Sequence, residues 1–161
     1  MSIRVAINGF GRIGRTIFKA LIDRNAPLEV VAFNDMATPS ELAYLLKYDS
    51  VHGVWHREVS STEDSLIVDG KNYKCLKISD PAQSPWHELK VDVVLESTGR
   101  FADRDNCQKH INAGARKVLL SAPGKGMDAT FVIGVNESTY DPRKHHIVSN
   151  ASCTTNCLAP I

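Results

Sequence analysis

Hydrophobic residues switch between two spacings along this chain, and the switching predicts layered strands and helices. Ile3 to Ile7 is a short β-rich run and Gly9 to Gly14 a glycine-punctuated turn. Ile13, Ile17, Phe18, Leu21 and Ile22 then recur at helical spacing. Leu28 to Phe33 is a second apolar run, mostly continuous rather than alternating, as a parallel strand covered on both faces requires. The unit closes as βαβ.

Thr38-Pro39-Ser40-Glu41 combines a capping-box spacing with proline at the first helical position and leads into Leu42, Leu45 and Leu46, which predicts a helix through about Lys47. Residues around Glu58 to Ile78 read as antiparallel strands inserted between parallel units, with Asp69-Gly70 as the hairpin turn between Ser65–Val68 and Tyr73–Ile78. Val91 to Ser97, Val118 to Ser121, Phe131 to Val135 and Ile147 to Val148 read as further strands. Asp103 to Ala113 reads as a helix ending near Gly114. No repeat, linker or low-complexity segment interrupts the pattern. The expected class is α/β, a Rossmann-type doubly wound, mainly parallel sheet with a small antiparallel insertion.

Composition narrows the function classes. At 161 residues, 43% hydrophobic and 23% charged, the chain is long enough for one globular domain with a sizeable core and unlike a disordered or fibrous sequence. A formal net charge of +1 without a lysine-arginine block makes nucleic acid a poor partner. Cys75, Cys107, Cys153 and Cys157 lack the density of a disulfide scaffold and form no C-x-x-C pair, so reduced thiols in the cytoplasm and no metal are expected. The first residues carry no charged leader with a long apolar stretch, and no run elsewhere is long enough to span a bilayer, so neither export nor membrane insertion is expected. The sequons at Asn136 and Asn150 carry no weight on that expectation.

Gly9-Phe10-Gly11-Arg12-Ile13-Gly14 fits G-x-G-x-x-G directly after a strand and at the mouth of a helix. One glycine allows the tight turn, one lets a pyrophosphate approach bare backbone at the helix N-terminus, and one brings helix and strand together. Asp35, twenty-one residues beyond Gly14, stands where a carboxylate accepts both hydroxyls of an adenosine ribose. Its charge would repel a 2′-phosphate and Met36 offers no compensation, which favours NAD over NADP. Glu96-Ser97-Thr98-Gly99-Arg100-Phe101 ends a buried strand at the carboxyl edge where open α/β sheets bind ligands, and Ser121 ends the next strand on that edge. Thr98 and Gly99 thereby join the candidate cofactor residues. Phe101 is either a flank for the adenine or core packing, and Ser121 either a cofactor contact or an ordinary loop hydroxyl.

The remaining chemistry-bearing residues read more plainly. His145 and His146 would point to opposite faces of a strand and are expected as a solvated loop pair, while His52, His56, His87 and His110 show no ligand spacing. Trp55 and Trp86 read as hydrophobic anchors. Ser149 to Ile161 presents Cys153 among small hydroxyl and amide side chains at a predicted helix start, where free N–H groups and the positive dipole end favour a thiolate. Two readings stay open there: a nucleophile for a carbonyl, or a small buried residue beside Ser152 or Thr154 as N-cap. Cys157, one helical turn on, reads as packing.

With these segments read, the chain resembles the N-terminal half of the phosphorylating glyceraldehyde-3-phosphate dehydrogenases throughout its 161 residues. The resemblance is carried by Ala6 to Arg15, Asn34-Asp35, Leu46-Lys47-Tyr48-Asp49-Ser50, Ser97-Thr98-Gly99, Ser121-Ala122-Pro123, Gly134-Val135-Asn136 and Ser149 to Pro160. It implies an NAD-binding Rossmann domain over 1–150 and the start of a catalytic domain over 151–161. It implies that Cys153 forms a thiohemiacetal with the aldehyde, that hydride passes to NAD, and that inorganic phosphate cleaves the resulting thioester, with Ser152 and Thr154 holding phosphate. Arg12, Ile13, Asp35 and Ser121 would carry cofactor contacts, and the parent would be a homotetramer. In this family the activating histidine, the phosphate-binding arginine and most of the substrate domain lie beyond position 161, so the 161 residues alone are expected to be inactive. Either the form is truncated or a longer protein continues from it. A smaller departure is Lys77-Ile78-Ser79-Asp80-Pro81, where many members have Glu-Arg before Asp-Pro. Two alternatives stand beside this reading: an erythrose-4-phosphate dehydrogenase, whose segments usually differ at Asn34-Asp35 and Ser121-Ala122-Pro123, and a non-catalytic NAD-binding module.

Overall fold

The computed structural model describes residues 2–161. The chain runs β1 (Ile3–Asn8), α1 (Arg12–Asp23), β2 (Leu28–Asn34), α2 (Pro39–Lys47), β3 (Tyr48–Asp49), β4 (Gly53–Val54), β5 (Val59–Ser61), β6 (Ser65–Val68), β7 (Lys71–Leu76), β8 (Val93–Glu96), α3 (Arg104–Asn112), β9 (Lys117–Leu120), β10 (Ala129–Thr130), β11 (Ile147–Ser149) and α4 (Cys153–Leu158). Nine strands form one sheet in the order β10-β11-β9-β8-β1-β2-β7-β6-β5. Neighbours from β10 through β7 pair in parallel, and β6 and β5 add antiparallel. The inserted strands are therefore an extension of the same sheet, because β7 returns parallel to β2 with Phe33 opposite Cys75.

The continuous apolar runs of β1 and β2 follow from burial on both faces. Ile7 and Phe33 face a core with Phe10, Phe18, Leu42, Leu46, Trp55 and Tyr73. Their neighbours Ala6 and Ala32 face the other core, with Trp86, Val91, Val94, Cys107 and Val118. Phe18, from the apolar stripe of α1, holds the first core together with its ring edge-on to Phe33 at 4.9 Å and to Tyr73 at 5.0 Å. Both tryptophans are anchors as read from the sequence.

Local signals set the helix ends. The Thr38 hydroxyl accepts the Glu41 N–H at 3.3 Å and the Glu41 carboxylate accepts the Thr38 N–H at 2.8 Å, completing the capping box. The Thr38 N–H and the Thr38 hydroxyl, both donating to the Glu41 carboxylate, hold it below its usual range. Asp103 caps α3 through the Asn106 N–H at 2.9 Å. Asp69 and Gly70 both take positive φ, 50° and 79°, the geometry a tight hairpin needs. The small β3–β4 hairpin was not foreseen; Asp49 builds it by accepting the N–H groups of Val51 and His52.

One expected strand is misplaced. Phe131 to Val135 is not a strand; the strand is β10, and the chain then turns. The Asn136 side chain accepts the Val132 N–H at 2.8 Å, the Val135 N–H closes on Val132 O, and Gly134 sits at φ 86°. Asn and Gly turn chemistry outweighs the β-propensity of Val-Ile-Gly-Val and leaves Ile133 exposed. His145 and His146 lie in a loop, as expected, but His145 is half-buried: its ring packs on Phe131 and Tyr140, and its Nδ1 accepts the Asp141 N–H.

Asp128 ties this side of the sheet together. It accepts the N–H groups of His146 at 2.8 Å and Ile147 at 2.9 Å and pairs with Arg104. Burial alone would raise its carboxyl; the bonds from Ile147, Arg104 and His146 outweigh burial and hold it down at about 2. A depressed carboxylate stabilises the fold above its unfolded value near 4 and loses that contribution as pH falls toward 2. Asp128→Asn is expected to cost about 2 kcal/mol near neutrality and to flatten the acid limb between about pH 4 and 2. Urea unfolding of both proteins across that range checks it; parallel acid limbs would contradict the assignment.

Candidate functional site

Parallel strands end on one edge, and β1, β2 and β8 all finish in polar side chains there: Asn8, Asn34 and Glu96. Above them lies a crevice of about 200 Å³. Of the residues singled out from the sequence, Gly9, Gly11, Asp35, Thr98 and Phe101 line it. Three glycines shape it in three ways. Gly9 takes φ 89°, and a Cβ there would stand 2.6 Å from the Thr98 nitrogen. A Cβ on Gly14 would collide with the Gly9 oxygen, so α1 packs directly on the turn. Gly11 has nothing within 4 Å of its missing Cβ, which leaves bare backbone open to a ligand.

Gly11 is the N-cap of α1 without any side-chain cap, and no acidic residue occupies the first turn. The first amides of this twelve-residue helix are thus free to meet an anion. Arg12 and Ile13 are exposed at that mouth, while Gly14 is buried beneath it. Asp35 does two things. Its Oδ2 accepts the Phe10 N–H at 2.7 Å and its Oδ1 accepts the Ala37 N–H at 3.1 Å, so it braces the glycine turn while each oxygen keeps lone pairs for a ribose.

The opposite wall is the loop after β8. Gly99 takes φ 71° and is exposed. The Thr98 hydroxyl is turned inward, donating to Glu96 at 2.5 Å and accepting the Arg100 N–H at 3.1 Å. Beside it, Ser97 Oγ is buried in the crevice wall with no partner among the described residues. Ser79 also lines the crevice and is exposed. Ser121 follows β9 on the same edge but is not among the lining residues. The sequence reading missed Ser97 as a candidate, the buried Asn8 and Asn34 that line the crevice floor, and the buried Glu96 and His110 beneath it.

Cys153 begins α4, after β11, again on the carboxyl edge. It is exposed, as are Thr154 and Cys157, so neither the buried reading of Cys153 nor a packing role for Cys157 is seen. Ser152 is the N-cap, its hydroxyl 2.9 Å from the Thr155 N–H and 2.7 Å from Thr155 Oγ1. The turn before it is held from below and from the side. Ser149 Oγ donates to Ala122 O and accepts the Ala151 N–H, and the Asn156 amide donates to Asn150 O and Ser152 O. Cys75 and Cys107 are the opposite kind of thiol: burial pushes them up to about 11 and about 12. Among the described residues no three His, Cys, Asp or Glu side chains cluster as a metal site, and no helix is long and apolar enough to cross a membrane.

Residues 3–104 match the family model for the glyceraldehyde 3-phosphate dehydrogenase NAD-binding domain. Over 161 residues the chain is 55% identical to the glyceraldehyde-3-phosphate dehydrogenase of Streptomyces coelicolor, covering all of this chain and 48% of that protein. It is 54% identical over 160 residues to the enzyme of Geobacillus stearothermophilus (99% and 48%) and 53% identical over 162 residues to glyceraldehyde-3-phosphate dehydrogenase 2 of Bacillus subtilis (100% and 47%). The chain thus spans about half the length of the curated relatives it matches, and Cys153 lies beyond the residues of the family match. On the glycine turn, the parallel sheet and this match together, the chain belongs to the glyceraldehyde 3-phosphate dehydrogenase NAD-binding domain family.

Proposed function

We propose that the crevice holds NAD through the residues described and that, in a whole protein of the relatives' length, Cys153 is the nucleophile on which glyceraldehyde 3-phosphate is oxidised by NAD and then handed to inorganic phosphate. The observation that carries this reading is the shared edge. From β2, which Asp35 directly follows, to β11, which leads to Cys153, the sheet order counts four inter-strand spacings, roughly 19 Å, a span suited to an extended dinucleotide. The pyrophosphate then faces Gly11 and the free amides at the start of α1, with Arg12 and Ile13 beside it. Asp35 takes the adenosine ribose, Thr98, Gly99 and Phe101 form the adenine wall, and Ser121 lies toward the thiol.

NAD supplies the hydride acceptor. Cys153 Sγ, as its thiolate, adds to the aldehyde carbon to give a thiohemiacetal; loss of the former aldehyde hydrogen as hydride to that acceptor, and of the hydroxyl proton, leaves a thioester on the sulfur, and inorganic phosphate takes the acyl group as an acyl phosphate and releases the thiolate. Thr154, exposed beside Cys153 with its Oγ1 3.9 Å from the sulfur, has a hydroxyl that can turn to that phosphate; Ser152 can join it only by sharing the hydroxyl it uses as N-cap. The reading extends to 1,3-bisphosphoglycerate as product, a place in glycolysis, a cytoplasmic setting with reduced thiols, and a homotetrameric parent. It divides the chain into a cofactor-binding part, 1–150, and the start of a catalytic part, 151–161.

Calorimetric titration of the chain with NAD and NADP tests the cofactor half. The unmodified chain is expected to prefer NAD. Asp35→Asn is expected to weaken NAD by about 10–100-fold, the loss of one charge-assisted hydrogen bond, and to narrow the gap to NADP. Equal affinity for NAD in both proteins would remove Asp35 from the site.

Thiol chemistry tests the other half. Iodoacetamide is expected to label Cys153 and Cys157 and to spare Cys75 and Cys107, as peptide mass mapping would show. In the whole protein, Cys153→Ser is expected to abolish NAD reduction by glyceraldehyde 3-phosphate and phosphate while NAD titration is unchanged. Retained turnover would sink the nucleophile, faster turnover of erythrose 4-phosphate would favour the related dehydrogenase, and NAD binding without turnover of either aldehyde would favour a non-catalytic module.

A further inference from the structure

Glu96 is wholly buried at the end of β8, directly under the crevice, and no lysine or arginine pairs with it among the described residues. His110 faces it at 3.0 Å, and the other side of that ring fixes what His110 can be. The Trp86 indole, a donor only, points at His110 Nδ1 at 2.9 Å. Nδ1 must therefore accept, which places the proton on Nε2 and turns it toward Glu96 as a donor from a neutral ring.

Every other contact of the carboxylate is a donor too. Oε1 accepts the Thr98 N–H at 2.9 Å and the Thr98 hydroxyl at 2.5 Å; Oε2 accepts the Asn8 amide at 2.5 Å as well as His110. The chain of bonds continues across the crevice. The Asn34 amide donates to Asn8 Oδ1 at 2.6 Å and to Ile78 O at 2.8 Å, and Asn34 Oδ1 accepts the Ile78 N–H at 2.8 Å. One buried carboxylate thus reaches both walls, the loop at Thr98 and the strand exit at Ile78.

We propose that Glu96 is a positioning residue for the cofactor: its carboxylate, faced by four donors from β1, α3 and the loop after β8, clamps the two crevice walls in the geometry that receives the dinucleotide. The proposal rests on reading this crevice as the NAD site. Trp86, in the opposite core, sets the histidine tautomer that completes the clamp. An amide cannot replace the carboxylate, because a glutamine has one accepting oxygen and would turn an NH₂ toward two donors.

The test uses the isotopically labelled chain. Histidine nitrogen spectra are expected to show His110 with its proton on Nε2 at about pH 7; a doubly protonated ring there overturns the proposal. Glu96→Gln is expected to shift or broaden the amide signals of residues 97–101 and Ile78 while those of α2 stay in place, and to weaken NAD by about tenfold or more. Thr98→Val, which keeps the side chain's size and leaves the carboxylate in place, decides the matter if Glu96→Gln does not fold; it is expected to shift the same loop signals and weaken NAD. The two variants share the bond between the Thr98 hydroxyl and the carboxylate, so the double variant is expected to weaken NAD by less than the two single effects combined. If the unmodified chain binds NAD and the folded variants bind it equally well, the clamp falls and the cofactor reading stands. If the unmodified chain fails to bind NAD while the loop signals still move in the variants, the clamp stands and the cofactor reading falls.

Discussion

The crevice depends on two backbones touching. The turn after β1 and the loop after β8 approach so closely that a single Cβ on Gly9 would overlap the Thr98 nitrogen and α-carbon and the Ser97 carbonyl carbon. That approach is possible only with a residue that has no side chain and tolerates φ 89°. Gly14 repeats the logic one layer lower, letting α1 rest on the Gly9 carbonyl. The open helix end, the carboxylate of Asp35 and the unpartnered Ser97 hydroxyl all take their places from these contacts. A larger residue at either glycine would move the walls before it touched any ligand.

Close approach of backbones carries a polar debt, since the groups at the strand ends lie away from water. The structure answers it with side chains. Asn8, Asn34 and Glu96, one from the end of each of three neighbouring strands, bond to one another and to the loops above them. An apolar floor would leave the Thr98 and Ile78 amides unpaired, so polarity at the strand ends follows from the same geometry that creates the crevice.

Much of this was legible in the sequence because the signals are local. The glycine spacing, the capping box at Thr38, the Asp69-Gly70 turn and the double-faced strands each depend on residues within one turn or one strand of each other. The failures have two causes. Between Phe131 and Val135 the β-branched pattern pointed one way, and Gly134 with the Asn136 side chain decided otherwise. The floor was invisible because its bonds join distant residues: Glu96 to His110 across 14 positions, Trp86 to His110 across 24 and Asn8 to Glu96 across 88. A lone histidine in a helix and a glutamate ending a strand carry no mark of burial until the fold brings a tryptophan and an asparagine to them.

The two halves of the proposed chemistry are therefore held by different kinds of force. The cofactor crevice is assembled from β1, β2 and β8, so it forms only when the sheet does. The Cys153 turn is built mostly within Ser149 to Asn156, and its one conformational cost is local: Ala151 takes φ 57°, a left-handed geometry costing an alanine roughly 1–2 kcal/mol. The Ser149 hydroxyl, itself wholly buried, offsets that cost by holding the Ala151 N–H while donating to Ala122 O, and the Asn156 amide closes the turn from the helix side. Ser149 ends β11 beside β9, so the anchor of this local turn is a sheet residue after all. The sheet sets where the thiol-bearing turn stands, and the turn's own hydrogen bonds set how Cys153 leaves it.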